Sequence, residues 1–375
     1  MRRLGTAVAV TAAASLLVPA AAFAADRTSE DPMITPWGSW ENTPIWTVGE
    51  TIKGYQAPGI PDGMSAFPGP GRGVFSAYVN HELRDYQGYA YELANGTSLT
   101  GARISRFDVQ WNTLKVVDAE GAYHTIYDVD GAVVTAADQI NPAIEGEGGI
   151  GRLCSGRGVS AGELGFVDDI HLAGEEQSNG LLFALDIAAG ELWAVPDAGL
   201  LAWENVSPVE TGTDTHTALL IGDDRQAAPL WLYVGEKNPA GDFLERNGLA
   251  GGQLYAWVAE GNDPTGTFDS PAEFFGEGNS AAGTWVPVDA RNADGSLRTT
   301  AELDAAADAE GHFQFSRPED VHDNPADGQQ LVLASTGRTS WDGASDVYGT
   351  TYLVDLEFDG GEPTGADLTI LYDGD

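Results

Sequence analysis

The stretch DIHLAGEEQSNGLLFALDIAAGELWAV, residues 169–195, carries the pattern on which a reading of the whole chain turns. An apolar run, Asp169–Ala173, ends in Gly174-Glu175-Glu176. A second run, Leu181–Asp186, follows, then a glycine turn and a short closing segment, Glu191–Val195. Short apolar runs bounded by turn residues read as strands. The same grammar recurs before and after it. Val74–Val79 ends in Asn80-His81-Glu82-Leu83 and continues with Arg103–Val109 and Leu114–Val117. A third unit has His216–Ile221, Leu230–Val234 ending in Gly235-Glu236-Lys237, Gln253–Val258 and Thr284–Val288. The fourth has Arg317–His322, Gln330–Ala334 ending in Ser335-Thr336-Gly337, Thr351–Leu356 and Asp367–Leu371. Helical periodicity is almost confined to Thr300–Ala309. Four strand units of this kind predict an all-β fold, a β-propeller with long inter-strand loops and four blades legible, with a β-sandwich as the rival.

Around this body the chain divides into a signal peptide at 1–24, an extended N-terminal arm at 25–67 and the propeller domain at 68–375. Arg2-Arg3 precede the apolar run Leu4–Phe23, and Ala22-Phe23-Ala24 fits the small-x-small cleavage rule, so a secreted or periplasmic protein is expected. No later run is apolar enough to act as a transmembrane anchor. The arm is rich in Pro, Gly and Trp, and Trp37, Trp40 and Trp46 are available to pack against the body. Residues 119–158 fit the strand grammar poorly and read as an excursion that delivers Cys154 to a site.

Fifty-seven acidic residues against 18 basic give a formal net charge of -39. A polyanion repels nucleic acid and anionic membranes, which excludes those partners. An anionic substrate then needs local neutralisation by arginine or bound cations. The single cysteine allows no internal disulfide. No Gly-rich phosphate loop, HExxH helix or GxSxG elbow is present.

In a propeller, equivalent strand ends converge on one mouth of the channel. The grammar places Glu82, Glu176, Glu236 and Glu319 at comparable ends. Packed carboxylates repel and are costly to bury unpaired, and bound cations relieve both penalties. Cys154 and His216, with His81 and His322, are candidates for softer ligation; Asp223, Asp224 and Asp320 can supply oxygen. Arg157, Arg317 and Arg84 each lie within a few residues of a proposed ligand, as forks suited to an oxyanion. Each residue alone also has a plain reading, a solvated turn, a buried thiol or a surface ion pair. Their recurrence favours a site.

Four motifs in order resemble the PhoX family of secreted alkaline phosphatases. They are Val79-Asn80-His81-Glu82; Cys154-Ser155-Gly156 followed by Gly174-Glu175-Glu176; Thr215-His216-Thr217-Ala218 with Gly222-Asp223-Asp224; and Phe315-Ser316-Arg317-Pro318-Glu319-Asp320. The resemblance implies a six-bladed propeller when complete, and a cofactor of iron and calcium ions, Fe3+ and Ca2+, joined by a bridging oxo group. It implies that Cys154 ligates iron, that Glu176 and Glu319 are carboxylate ligands, and that Glu82 is another or lies just outside them. His216 sits where the family has a His-Glu pair, but Thr217 follows it here. Lys237 stands where it could bind phosphate or replace a metal.

The expected function is metal-dependent hydrolysis of phosphate monoesters on a small phosphorylated organic substrate. Arg157, Arg317 and Lys237 would handle the phosphoryl group, and Cys154, Glu176, Glu319, Glu82, Glu236 and His216 the metals. The alternatives are a calcium-dependent propeller lactonase or phosphodiesterase, and a non-enzymatic secreted binding propeller.

Overall fold

The alternating run Val74–His81 (β2) pairs antiparallel with Pro61–Pro68 (β1) on one side and Arg103–Gln110 (β3) on the other, and Lys115–Gly121 (β4) closes this first blade. These contacts come from a computed structural model that describes residues 26–144, 148–261, 268–341 and 344–374. The leader expected at 1–24 lies outside the described residues. The second blade adds Thr125–Tyr127 (β5) in parallel to the outer edge of Leu153–Val159 (β6), Ile170–Glu175 (β7), Leu182–Asp186 (β8) and Glu191–Ala194 (β9). The third runs through Trp203–Val209 (β10), His216–Asp223 (β11), Trp231–Glu236 (β12), Gln253–Ala259 (β13) and Ser280–Val288 (β14). The fourth is Pro318–Asn324 (β15), Asp327–Ser335 (β16), Thr350–Asp359 (β17) and Glu362–Asp373 (β18). β14 pairs with β18, from Ser280 opposite Thr369 to Gly283 opposite Ala366, so the last two blades form one nine-stranded sheet.

The molecule is all-β and propeller-like, and its four blades correspond to the four units of the sequence. The inner strands lie against one another in succession, β1 beside β6, β6 beside β10, and β10 beside β15. In the first three blades this innermost strand is an addition to what the sequence pattern shows. β1 falls in the stretch read as the arm, and β6 in the stretch read as an excursion. Their sequences, PDGMSAFP and LCSGRGV, have little apolar alternation because they line a polar channel rather than a core.

The cores lie between the blades. Trp203 and Trp231 are buried between the second and third, and Trp257, Phe313, Phe315 and Tyr352 pack edge-on between the third and fourth. Burying a side chain such as Phe315 contributes roughly 2–3 kcal/mol. The expected helix forms at Thr300–Glu310 (α1). Thr299 and Glu302 make a capping box at its start, and Leu303 and Ala307 enter the core between blades two and three. From the arm, Trp46 stacks on Phe107 at 4.9 Å. Trp37 and Trp40 do not pack there; they are 86% and 77% exposed. Among the described residues no helix is long and apolar enough to cross a membrane.

Candidate active site

One local device is repeated at the same end of all four blades. Each inner strand's second residue is an acid or a thiol: Asp62, Cys154, Glu204 and Glu319. The pairing register shifts at each of them, between Pro61 and Met64, Leu153 and Gly156, Trp203 and Asn205, and Pro318 and Asp320. Such a bulge twists the strand and re-aims the extra side chain, here toward the mouth. In three blades the residue just before the strand is left-handed: Ile60, Arg152 and Arg317, with φ of 46°, 47° and 59°. Non-glycine residues pay for that conformation, so the surroundings must hold it. The residue following each second strand completes the ring: Glu82, Glu176, Asp224 and, in the fourth blade, Thr336.

The groups beneath the ring hold the bends in place. Glu175 accepts from the backbone N–H of Gly151 and from Asn141, and Asp223 accepts from the Ala202 N–H and the Trp231 indole. His81 bonds the Gly59 carbonyl. Gly222 leaves room for the fourth blade, because a β-carbon there would collide with the Glu319 carbonyl oxygen.

The ring is crowded with anions. The ligand atoms of Asp62, Glu82 and Cys154 lie within 4.8 Å of one another, and so do those of Cys154, Glu176 and Glu204. The Cys154 thiol donates to Glu204 Oε1 at 3.1 Å. Two guanidinium groups clasp the rim. Arg152 Nε donates to Glu82 Oε1 at 2.9 Å and its Nη2 pairs with Glu176. Arg317 holds Asp224 with a two-pronged fork, 2.7 and 2.8 Å, and reaches Glu319 at 2.6 Å.

Burial pushes the Glu204 carboxyl up to about 8, helped by repulsion from Glu176 and opposed by the Cys154 hydrogen bond. Burial likewise raises Glu176 to about 7, against the pull of Arg152 and with the push of Glu82. Burial and the Glu82 charge raise Asp62, and burial with Glu204 raises the Cys154 thiol well above its usual range. For Asp224 burial is more than offset by the Arg317 fork together with hydrogen bonds to Glu319 and Glu176, and the carboxyl is lowered. Several carboxylates and one sulfur, short of positive charge, make a donor set that fits multivalent cations, with oxygen ligands for a hard ion and the thiolate for a softer one.

Beside the ring lies a cavity of about 550 Å³, whose lining includes Arg152, Glu176, Asp224, Arg225, Arg317 and Arg338. The structure thus brings together Cys154, Glu82, Glu176, Asp224, Glu319 and Arg317 of the residues singled out in the sequence. Of the residues assigned there to the metals or the phosphoryl group, His216, Glu236, Lys237 and Arg157 lie elsewhere. His216 and Glu236 pair with each other at the opposite end of β11 from Asp223. Antiparallel strands alternate direction, so the end of a third strand falls at the other mouth from the end of a second. Lys237 follows Glu236 there and donates to the carbonyls of Gly165 at 2.6 Å and Asp214 at 3.1 Å. Arg157 lies farther along β6, bonded to Glu163 at 3.1 Å and Asp323 at 3.0 Å.

Asp62, Glu204, Arg152 and Arg338 are additions from the structure. A sequence signal for two of them existed. Gly174-Glu175-Glu176 and Gly222-Asp223-Asp224 are the same triplet, and each lies about twenty residues after its bulged residue, as Glu82 lies after Asp62.

Comparison with known proteins bears on this arrangement. No curated protein matches the chain. Among solved structures, it is similar to Pseudomonas fluorescens PhoX in complex with vanadate, a transition state analogue, with a TM-score of 0.53 and 16% identity over 83% of this chain. It spans 66% of that structure's length, and likeness at such identity concerns the fold, which is shared. The family model for alkaline phosphatase PhoX matches residues 173–349, a segment holding Glu176, Glu204, Asp224, Arg317, Glu319 and Arg338 but not Cys154. That match covers just under half of the chain and agrees with the resemblance its motifs bear to the PhoX family of alkaline phosphatases.

Proposed function

We propose that this protein hydrolyses phosphate monoesters of small organic molecules at the acidic mouth. The observation that carries the reading is the convergence of Asp62, Glu82, Cys154, Glu176 and Glu204 within ligand reach, beside a cavity edged by arginine. Cations would be held by these five residues, with Asp224 and Glu319 next to them. The PhoX resemblance favours calcium for the carboxylates and iron for the thiolate. Bound cations would supply Lewis-acid neutralisation of the phosphoryl oxygens, which a protein of this charge otherwise repels.

The chain's own residues would do the rest. Arg317, its fork fixed by Asp224 and Glu319, is preorganised to hold a non-bridging phosphoryl oxygen. Arg152 is set in the same way by Glu82 and Glu176 on the neighbouring sector. Because both forks are already anchored, little reorganisation is needed as charge builds on the equatorial oxygens. The leader at 1–24 would direct the protein out of the cytoplasm.

The test is turnover of p-nitrophenyl phosphate alongside metal analysis of protein purified without a metal-affinity column. The expected result is bound calcium and iron, turnover that chelation abolishes, and recovery on adding the metals back. Full metal occupancy with no turnover overturns the reading.

A further inference from the structure

The fourth blade departs from the other three at the ring. Where they place Glu82, Glu176 and Asp224, it places Thr336, followed by Gly337 and Arg338. Backbone hydrogen bonds from Thr336 N to the Arg317 carbonyl (3.0 Å) and from Gly337 N to the Ser316 carbonyl (3.1 Å) tie this segment beside the Arg317 bend. Gly337 has a φ of 83°, and a β-carbon there would meet the backbone of Gly349 and Asp346. The base from which Arg338 projects is therefore closely packed, although its side chain is exposed.

The four arginines of the cavity are not equivalent. Arg152 is engaged by Glu82 and Glu176, Arg225 by Asp223 and Asp304, and Arg317 by Asp224 and Glu319. Arg338 has no ion pair or hydrogen bond through its side chain among the described residues. In a chain with 57 acids to 18 bases, an arginine beside an acidic ring that no acid among the described residues claims is unusual. A guanidinium without a carboxylate partner keeps its full fork for a ligand anion. The scissile phosphoryl group already has the cations and the two anchored arginines, and the cavity is several times larger than such a group.

Resting on the phosphatase reading, we propose that Arg338 is a specificity-determining residue that binds a second anionic group on the substrate. The preferred class is then phosphomonoesters that carry a carboxylate or further acidic group a few bonds from the phosphate.

The test compares 3-phosphoglycerate with glycerol 3-phosphate, which differ by carboxylate against hydroxymethyl, on the metal-loaded full chain and on Arg338→Gln and Arg338→Lys. In the unaltered chain 3-phosphoglycerate should have the higher kcat/KM. Arg338→Gln should lower that preference roughly tenfold, through KM rather than kcat, with less than about a threefold change for glycerol 3-phosphate. Arg338→Lys should restore part of it. Equal losses for both compounds would move Arg338 onto the phosphoryl group and overturn the proposal, as would no change for either. Calorimetric titration of both compounds gives a readout independent of turnover. If the unaltered chain turns over neither compound, the phosphatase reading fails. The Arg338 contact then still stands or falls on whether the affinity difference exists and is lost in Arg338→Gln.

Discussion

The second and fourth blades present the same scaffold to the same mouth and do opposite things with it. Both open on a left-handed arginine, Arg152 or Arg317, and both bulge at the next residue but one, Cys154 or Glu319. They diverge after the second strand, where the second blade supplies Glu175-Glu176 and the fourth Ser335-Thr336-Gly337-Arg338. In the proposed function the second blade would gather cations through Cys154 and Glu176, and the fourth would gather the anionic substrate through Arg317 and Arg338. A metal-assisted site for an anion needs both. The repeat supplies backbone positions, and substitution at a few of them assigns the sign.

The largest expected effect separates the two bulged positions. Cys154→Ser should remove the softer ligand and with it much of the bound iron, lowering kcat by about 10³-fold, the scale of several kcal/mol of Lewis-acid stabilisation. Glu319→Gln, at the same position of the fourth blade, should leave the iron content near that of the unaltered protein, since Glu319 lies outside both clusters that include Cys154. Elemental analysis and turnover on the same preparations check this. Full activity and metal in Cys154→Ser would make the site an oxygen-only one and favour a calcium-dependent lactonase or diesterase.

The two arginines sharpen the contrast at a smaller scale. Arg317→Ala should lower kcat/KM about 10²-fold, because a preorganised fork is lost from the anion-binding sector. Arg317→Lys should recover little of it, since an ammonium cannot reproduce the two-pronged geometry to Asp224. Arg152→Ala should act mainly by freeing Glu82 and Glu176, with a loss nearer tenfold and a changed metal affinity. Equal losses in kcat/KM, with no metal phenotype for Arg152, would erase the distinction between the sectors.

The same contrast explains what could be read from the sequence. All four strands of the fourth blade are legible, because Arg317–His322 covers most of the inner strand and its neighbours follow the apolar grammar. In the other blades the inner strands are written in Pro, Gly, Ser and charged residues, a composition that resembles loop because its side chains face a channel. Cys154 and Glu176 stood out by chemistry and by ending an apolar run. Glu236 stood out for the same reason, yet the antiparallel turn sends it with His216 to the far mouth. Glu204 is not legible because Trp-Glu-Asn has no mark of its own, and only the repeated Gly-acid-acid triplet downstream aligns it with Cys154.

The smallest effect concerns His171, which occupies β7 four residues before its end, where Leu331 stands in the fourth blade. Its Nε2 meets Asn80 Oδ1 at 2.9 Å and its Nδ1 meets the Ser65 hydroxyl at 2.7 Å, tying the second blade to the first. The Asn80 amide nitrogen already donates to the carbonyls of Cys154 and Ser155, so its oxygen accepts and the imidazole carries its proton on Nε2. Burial pushes His171 down to about 3, so it is neutral in the fold, whereas the unfolded chain protonates it near 6.5. The unfolded state therefore binds the extra proton, and the contribution of neutral His171 is complete above pH 6.5 and lost progressively down to about pH 3. At pH 5 the loss is about 2 kcal/mol. His171→Gln cannot take up that proton, so its urea-unfolding free energy should fall less between pH 7 and pH 5 than that of the unaltered chain, by about that amount. Leu331→Val should reduce stability by a similar amount at both pH values, since the fourth blade has no titrating group at this position. Identical pH slopes for His171→Gln and the unaltered protein would mean that the imidazole is protonated in the fold, and that the seam between the first two blades is wetter than its 0% exposure requires.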